Sequence, residues 1–169
     1  MTFEIDIENG QSQLAVDELR LQRAILTTLH QEQVESAVLS ISVVDDPTIH
    51  RLNREHLQHD YPTDVISFQL DHIRLTQLPQ EVMVDRPSAG CHIEGEIVVS
   101  ADTAEQQAAA GGWTASDELL LYVVHGLLHL CGYDDLSPEL KCIMRARERS
   151  VLAELGLTPV YPQDESDPC

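Results

Sequence analysis

Two histidines four residues apart stand in the run His125-Gly126-Leu127-Leu128-His129-Leu130-Cys131-Gly132-Tyr133-Asp134-Asp135. On a helix, residues at i and i+4 share a face, so both imidazoles can aim at one point. Leu119 to Val124, Leu127, Leu128 and Leu130 are apolar at nearly every angle, which describes a helix buried on most sides. A buried ring nitrogen without a partner costs about 1–3 kcal/mol, and one metal ion satisfies both rings. Gly132 suits the left-handed conformation that ends helices and turns Asp134 and Asp135 back toward the histidines. His125, His129 and Asp135 then form a three-ligand site with one tetrahedral position open, the pattern of a catalytic zinc rather than a structural one. Cys131, about 200° around the helix from His129, points away. Nitrogen and oxygen donors also suit other transition ions.

These residues resemble the signature of the YbeY endoribonucleases, His-Gly-x-Leu-His-Leu-x-Gly-Tyr-Asp-His, at every position but the last. Leu52-Asn53 followed by Pro62-Thr63-Asp64-Val65-Ile66-Ser67-Phe68, the stretch Gly95 to Ser100, and the spacing of Met144 and Glu148 resemble that family as well. The resemblance implies a single-strand-specific, metal-dependent endoribonuclease with one Zn2+ per chain, acting in ribosomal RNA maturation at the 16S rRNA 3′ end and in ribosome quality control. It implies single-stranded RNA or rRNA, the small ribosomal subunit and assembly proteins as partners, and no DNA. Where the family has its third metal-binding histidine this chain has Asp135, and where it has a functional arginine and a tyrosine the chain has Leu57 and His56. An anionic ligand makes water on the zinc less acidic, yet two histidines and one carboxylate is an established hydrolase ligand set. Asp134, one residue before the ligand position, is expected to orient a histidine.

The catalytic residues stay open. Zinc proteases of the His-Glu-x-x-His type keep a glutamate base after the first histidine, and here that place is Gly126. The proton acceptor must come from the metal's own water or from a carboxylate such as Asp134 or Glu96. Arg54 is a candidate for neutralising phosphate, as are Arg51, His56 and His59, and spacing does not choose among them. Lys141, Arg145 and Arg149 recur every four residues on the next helix, a positive stripe that can contact RNA or instead pair with Glu148 and the helix carbonyl end.

Composition weighs against nucleic acid: 29 acidic and 10 basic residues give a net charge of −19, and nucleic-acid proteins usually carry basic surface. Two rival functions therefore stand beside the ribonuclease, a metallopeptidase and a ribosome-assembly binding protein with a structural metal. Cys91, Cys131, Cys142 and Cys169 show no Cys-x-x-Cys spacing, which excludes a zinc ribbon or dithiol redox motif. No apolar run reaches the roughly 20 residues that span a bilayer. The first residues lack the pattern of a signal peptide, and a soluble cytoplasmic protein is expected.

Alternation at Phe3, Ile5 and Ile7 predicts a strand, as do Val38 to Val44, Val65 to Phe68 and Ile97 to Val99. Helical spacing covers Leu14 to Leu29 and Ala101 to Ala110, and Asp45-Asp46-Pro47 opens a short helix toward His56. Thr114 or Ser116 caps the metal helix, and Ser137-Pro138 opens the last one. The order predicts an α+β fold, a small mixed sheet packed against helices, zinc-hydrolase-like by resemblance, with the metal helix buried. Residues 1–158 are expected to form a single domain with a long loop at about 70–93, and 159–169 an acidic, disordered tail.

Overall fold

Phe3, Ile5 and Ile7 lie on a strand, β1 (Thr2–Asn9), at one edge of a four-stranded sheet in the computed structural model, which describes residues 1–161. The other strands are β2 (Ser36–Val44), β3 (Val65–Arg74) and β4 (Cys91–Ser100), in the order β1-β2-β4-β3. The first three in that order run parallel, and β3 closes the far edge antiparallel to β4. The helices are α1 (Glu18–Gln31), α2 (Asp46–Leu52), α3 (Gln80–Asp85), α4 (Ala101–Gly111), α5 (Ala115–Leu130) and α6 (Pro138–Ala153). This is the α+β fold expected, a mixed sheet packed against helices.

The metal helix α5 lies across β3 and β4, flanked by α1, α4 and α6. Its residues Val123, Val124, Leu127 and Leu128 are fully buried in one core with Ile41, Ile93 and Ile97. Glycine makes this approach possible at two points. A Cβ on Gly126 would meet Val65 Cγ2 and Ile97 Cγ2 at 3.0 Å, and one on Gly95 would meet Leu130 Cδ1 at 2.6 Å and the Phe68 carbonyl at 2.9 Å. Both glycines exist to let helix and sheet touch. The opposite face of the sheet carries a smaller cluster, Ile49, Ile66 and Val98 beneath α2.

Local chemistry accounts for the helix ends. Thr114 and Asp117 form a reciprocal capping box on α5, and Ser137 caps α6 with Pro138 in its first turn, as their types predict. Gly132, at φ +90, closes α5: its N–H donates to His129 O and that of Tyr133 to Leu128 O, a Schellman ending.

Two expectations are corrected. Helix α1 begins at Glu18 rather than near Leu14, because Asp17 accepts from Arg20 N as its cap while Gln11 holds the Leu14 amide in a preceding turn. Residues 70–93 are not one long loop: β3 continues to Arg74 past a bulge at Gln69/Asp71, α3 fills Gln80–Asp85, and β4 starts at Cys91. The bulge shifts the alternation that would have marked the strand, and Arg74 pins the return by donating to the Pro87 and Ala89 carbonyls. In the tail expected to be disordered, Tyr161 hydrogen-bonds to Glu148; residues 162–169 lie outside the described residues.

Candidate metal centre

Helix α5 and the turn after it bring His125, His129 and Asp135 together, with one donor atom of each within 4.8 Å of the others. The two Nε2 atoms are 3.0 Å apart, and Asp135 reaches them with one oxygen each, Oδ2 at 3.7 Å from His125 and Oδ1 at 3.8 Å from His129. Tetrahedral zinc with bonds of about 2.0–2.2 Å holds its ligand atoms roughly 3.3–3.6 Å apart. The Schellman turn thus brings the short aspartate side chain to near ligand spacing from both imidazoles.

The outer nitrogens decide the fit. His125 Nδ1 donates to Glu148 Oε1 at 2.6 Å, and His129 Nδ1 donates to the Tyr133 carbonyl at 3.1 Å. Both acceptors lack a proton to give, so each ring carries its hydrogen on Nδ1 and turns an Nε2 lone pair inward. Two nitrogens 3.0 Å apart beside a carboxylate can share a proton or hold a metal ion, and the donor set fits zinc or a similar ion. Burial pushes His125 down, but the Glu148 hydrogen bond and charge, with Asp135 and Asp64, outweigh it and raise its pKa. Burial and the charge of His125 lower that of His129.

Of the other residues singled out by sequence, Lys141 and Arg145 line a pocket of about 330 Å³ that opens beside His125 and Asp135. Arg149, one turn on, packs its guanidinium 5.2 Å from the Tyr161 ring centre. Asp134 does not orient a histidine; its Oδ1 accepts from the Asp135 amide at 2.7 Å and so shapes the turn. Glu96 is exposed on the sheet face opposite its neighbours Gly95 and Ile97, which face α5, because successive strand residues alternate. Arg54 is exposed on the π-helical turn Asn53–Leu57 and lines neither cavity at the centre. Leu57 does: with Val65, Ser67, Gln69, His125 and His129 it walls a groove of about 400 Å³ along β3.

Sequence reasoning passed over Glu148 and Asp64 as site residues. Glu148, 2% exposed, is the carboxylate that orients His125. Its signal was an acidic residue four positions after Met144, on the inward face of α6. Asp64 lines both cavities, and its Oδ1 is fixed by the Thr63 hydroxyl and the Val65 amide.

A helix-borne histidine pair, completed by a carboxylate from the following turn and set against a mixed sheet, defines a metal-hydrolase type of centre. The model of the family described as Endoribonuclease YbeY matches residues 6–156. An endoribonuclease YbeY of Rhodopirellula baltica is 39% identical over 86% of this chain and 68% of its own length, and one of Pelotomaculum thermopropionicum is 40% identical over 90% and 97%. The solution structure of TM1509 from Thermotoga maritima superposes with a TM-score of 0.54 at 22% identity, covering 96% of this chain and 98% of that one, a likeness of fold. The chain belongs to the endoribonuclease YbeY family.

Proposed function

We propose that this chain is a metal-dependent endoribonuclease that cuts single-stranded RNA in ribosomal RNA maturation, in the cytoplasm, with one zinc ion held by His125, His129 and Asp135. The observation that carries the reading is the pair of inward-turned Nε2 atoms with both Nδ1 protons engaged. When bound, the ion supplies Lewis acidity for a phosphoryl oxygen and lowers the pKa of water. The protein's share is orientation and proton handling. Glu148 and the Tyr133 carbonyl fix the imidazoles, and Asp64, which lines both cavities, would accept the proton of the attacking water. Lys141 and Arg145 supply positive charge beside an otherwise acidic centre.

The peptidase reading loses ground on geometry. A side chain at position 126 would be driven against Val65 and Ile97, so the site has no room for the protease glutamate. Among the described residues no helix is long and apolar enough to cross a membrane. The test is to load the purified chain with zinc, measure one ion per chain, and incubate it with single-stranded RNA and with casein. RNA cleavage that His125→Ala abolishes is the expected result. Ribosome co-sedimentation without cleavage would favour a binding protein, and casein cleavage a peptidase.

A further inference from the structure

The metal centre sits between two cavities of different character. On the β3 side lies the open groove bordered by Leu57, suited to an extended strand. On the α4–α6 side lies the pocket of about 330 Å³, whose walls are predominantly apolar and which ends at His125. That volume is at the lower end of small-ligand pockets, about 300–1,000 Å³, and admits one nucleoside-sized group. Tyr122, 5% exposed, and Leu121, 8% exposed, form one wall with Met144. The other is Tyr161, with the Arg145 guanidinium packed 4.4 Å from its ring centre. Tyrosine rings and arginine planes are the surfaces on which unstacked bases lie.

Among the polar side chains that line the pocket, which include Thr103, Gln107 and Lys141, Glu118 is only 8% exposed. Its Oε2 accepts from Trp113 Nε1 at 2.5 Å, and burial raises its pKa against the lowering effect of Trp113 and Tyr122. A carboxyl group offers several acceptor positions, and the Trp113 bond uses one of them. The remaining capacity belongs to a side chain that lines the pocket, so its occupant should bring hydrogen-bond donors.

We infer that this pocket is a nucleobase subsite: it takes the base of one nucleotide flanking the scissile phosphate, and it prefers bases with an exocyclic amine over uracil. The inference rests on the ribonuclease reading, since it takes RNA as the ligand and His125 as the junction between pocket and metal. A strand with its phosphate at the metal and one base in the pocket leaves through the β3 groove. Uracil has no exocyclic amine: its single ring donor, N3–H, lies between two carbonyl oxygens that would also face the Glu118 carboxylate, so it bonds there less well than a base bringing an NH2 group. A site built to bond a donor discriminates against the analogue that presents it poorly.

Two measurements on the whole chain test this. In the first, single-stranded RNA with a mapped cut carries an abasic residue at each position in turn. Loss of the base at one nucleotide beside the cut should lower kcat/KM by about tenfold, the scale of one stacked base, while losses elsewhere have little effect. Gln107→Trp, which blocks the pocket from an exposed rim position, should abolish that position dependence while leaving zinc content at the parent level. An even response along the RNA overturns the inference. In the second, the four nucleoside 5′-monophosphates are titrated while following Trp113, the only tryptophan in the chain, whose ring bonds to Glu118. The uridine nucleotide should bind weakest, Tyr161→Ala should weaken binding about tenfold where Tyr161→Phe does not, and Glu118→Gln should erase the discrimination. No saturable binding overturns the subsite. If the zinc-loaded chain cuts no RNA at all, the ribonuclease reading fails while the titration still decides whether the pocket takes a base.

Discussion

His125 Nδ1 and Glu148 Oε1 lie 2.6 Å apart, and the contact ties the metal helix to the helix that follows it. Glu148 is buried, and its second oxygen takes the Tyr161 hydroxyl at 2.5 Å. One carboxylate therefore fixes the tautomer of a ligand and anchors the residue that walls the adjacent pocket.

Removing that carboxylate should loosen the metal rather than unfold the chain. Glu148→Ala is expected to lower zinc affinity by about 10–100-fold, the usual effect of losing a partner that orients a histidine ligand. Glu148→Gln should lose less, because the amide oxygen still accepts from Nδ1. Competition with a chromophoric chelator measures both, and equal affinities for all three proteins would leave Glu148 a packing role only.

Asp135 and Asp134 separate by the same assay. Asp135 faces both Nε2 atoms, whereas Asp134 bonds to the Asp135 amide. Asp135→Ala should therefore cost far more zinc affinity than Asp134→Ala, and Asp135→His should retain or strengthen binding, as the family's own ligand does at that place. The reverse order of the two alanine variants would move the third ligand to Asp134.

How much of this was legible in the sequence follows from how far apart the partners lie. His125, His129 and Asp135 sit within eleven residues, so helix period and a glycine ending were enough to assemble them. The caps at Thr114 and Ser137 are local for the same reason. Glu148 stands 23 residues from His125 and reaches it only because α6 folds back on α5, which no local pattern encodes. Glu96 was drawn in by its chemistry, and strand alternation places it on the wrong face. Residues 70–74 lost their strand signal to a bulge at Leu70, though Asp71 to Arg74 still pair with β4 over a long range.

Leu57 stands where the resemblance to the family implies an arginine. It walls the β3 groove with both histidines and is 45% exposed, so an arginine there has room to face that groove. Leu57→Arg should tighten RNA binding and steepen the slope of log affinity against log salt by about one phosphate contact, roughly 0.7 for a single strand. Filter binding over a salt series reads this directly. An unchanged slope would show that position 57 does not meet phosphate, and the positive charge would then have to come from Lys141 and Arg145.

Glu32 supplies a prediction about stability that is independent of RNA. It is fully buried, its Oε1 has no hydrogen-bond partner among the described residues, and Arg147 Nε stays 3.9 Å away. The Tyr133 hydroxyl lies 2.6 Å from Glu32 Oε2 and 2.9 Å from the Asp85 carbonyl. One hydroxyl proton cannot serve both acceptors, whereas a protonated Glu32 can donate to Tyr133 and free its proton for Asp85. Burial, the largest influence, raises the Glu32 pKa above 4.5 against the Tyr133 bond and the Arg147 charge. The folded state then binds more protons than the unfolded one, so this group stabilises most below pH 4.5 and its contribution falls as pH rises through the raised value. Glu32→Gln copies the protonated form, with an amide that donates to the Tyr133 oxygen. Its denaturant midpoint should exceed the parent's at pH 7, and the difference should shrink as pH is lowered toward 4.5. A variant less stable than the parent at pH 7 would show that Glu32 is held as an anion, with Arg147 supplying the compensating charge.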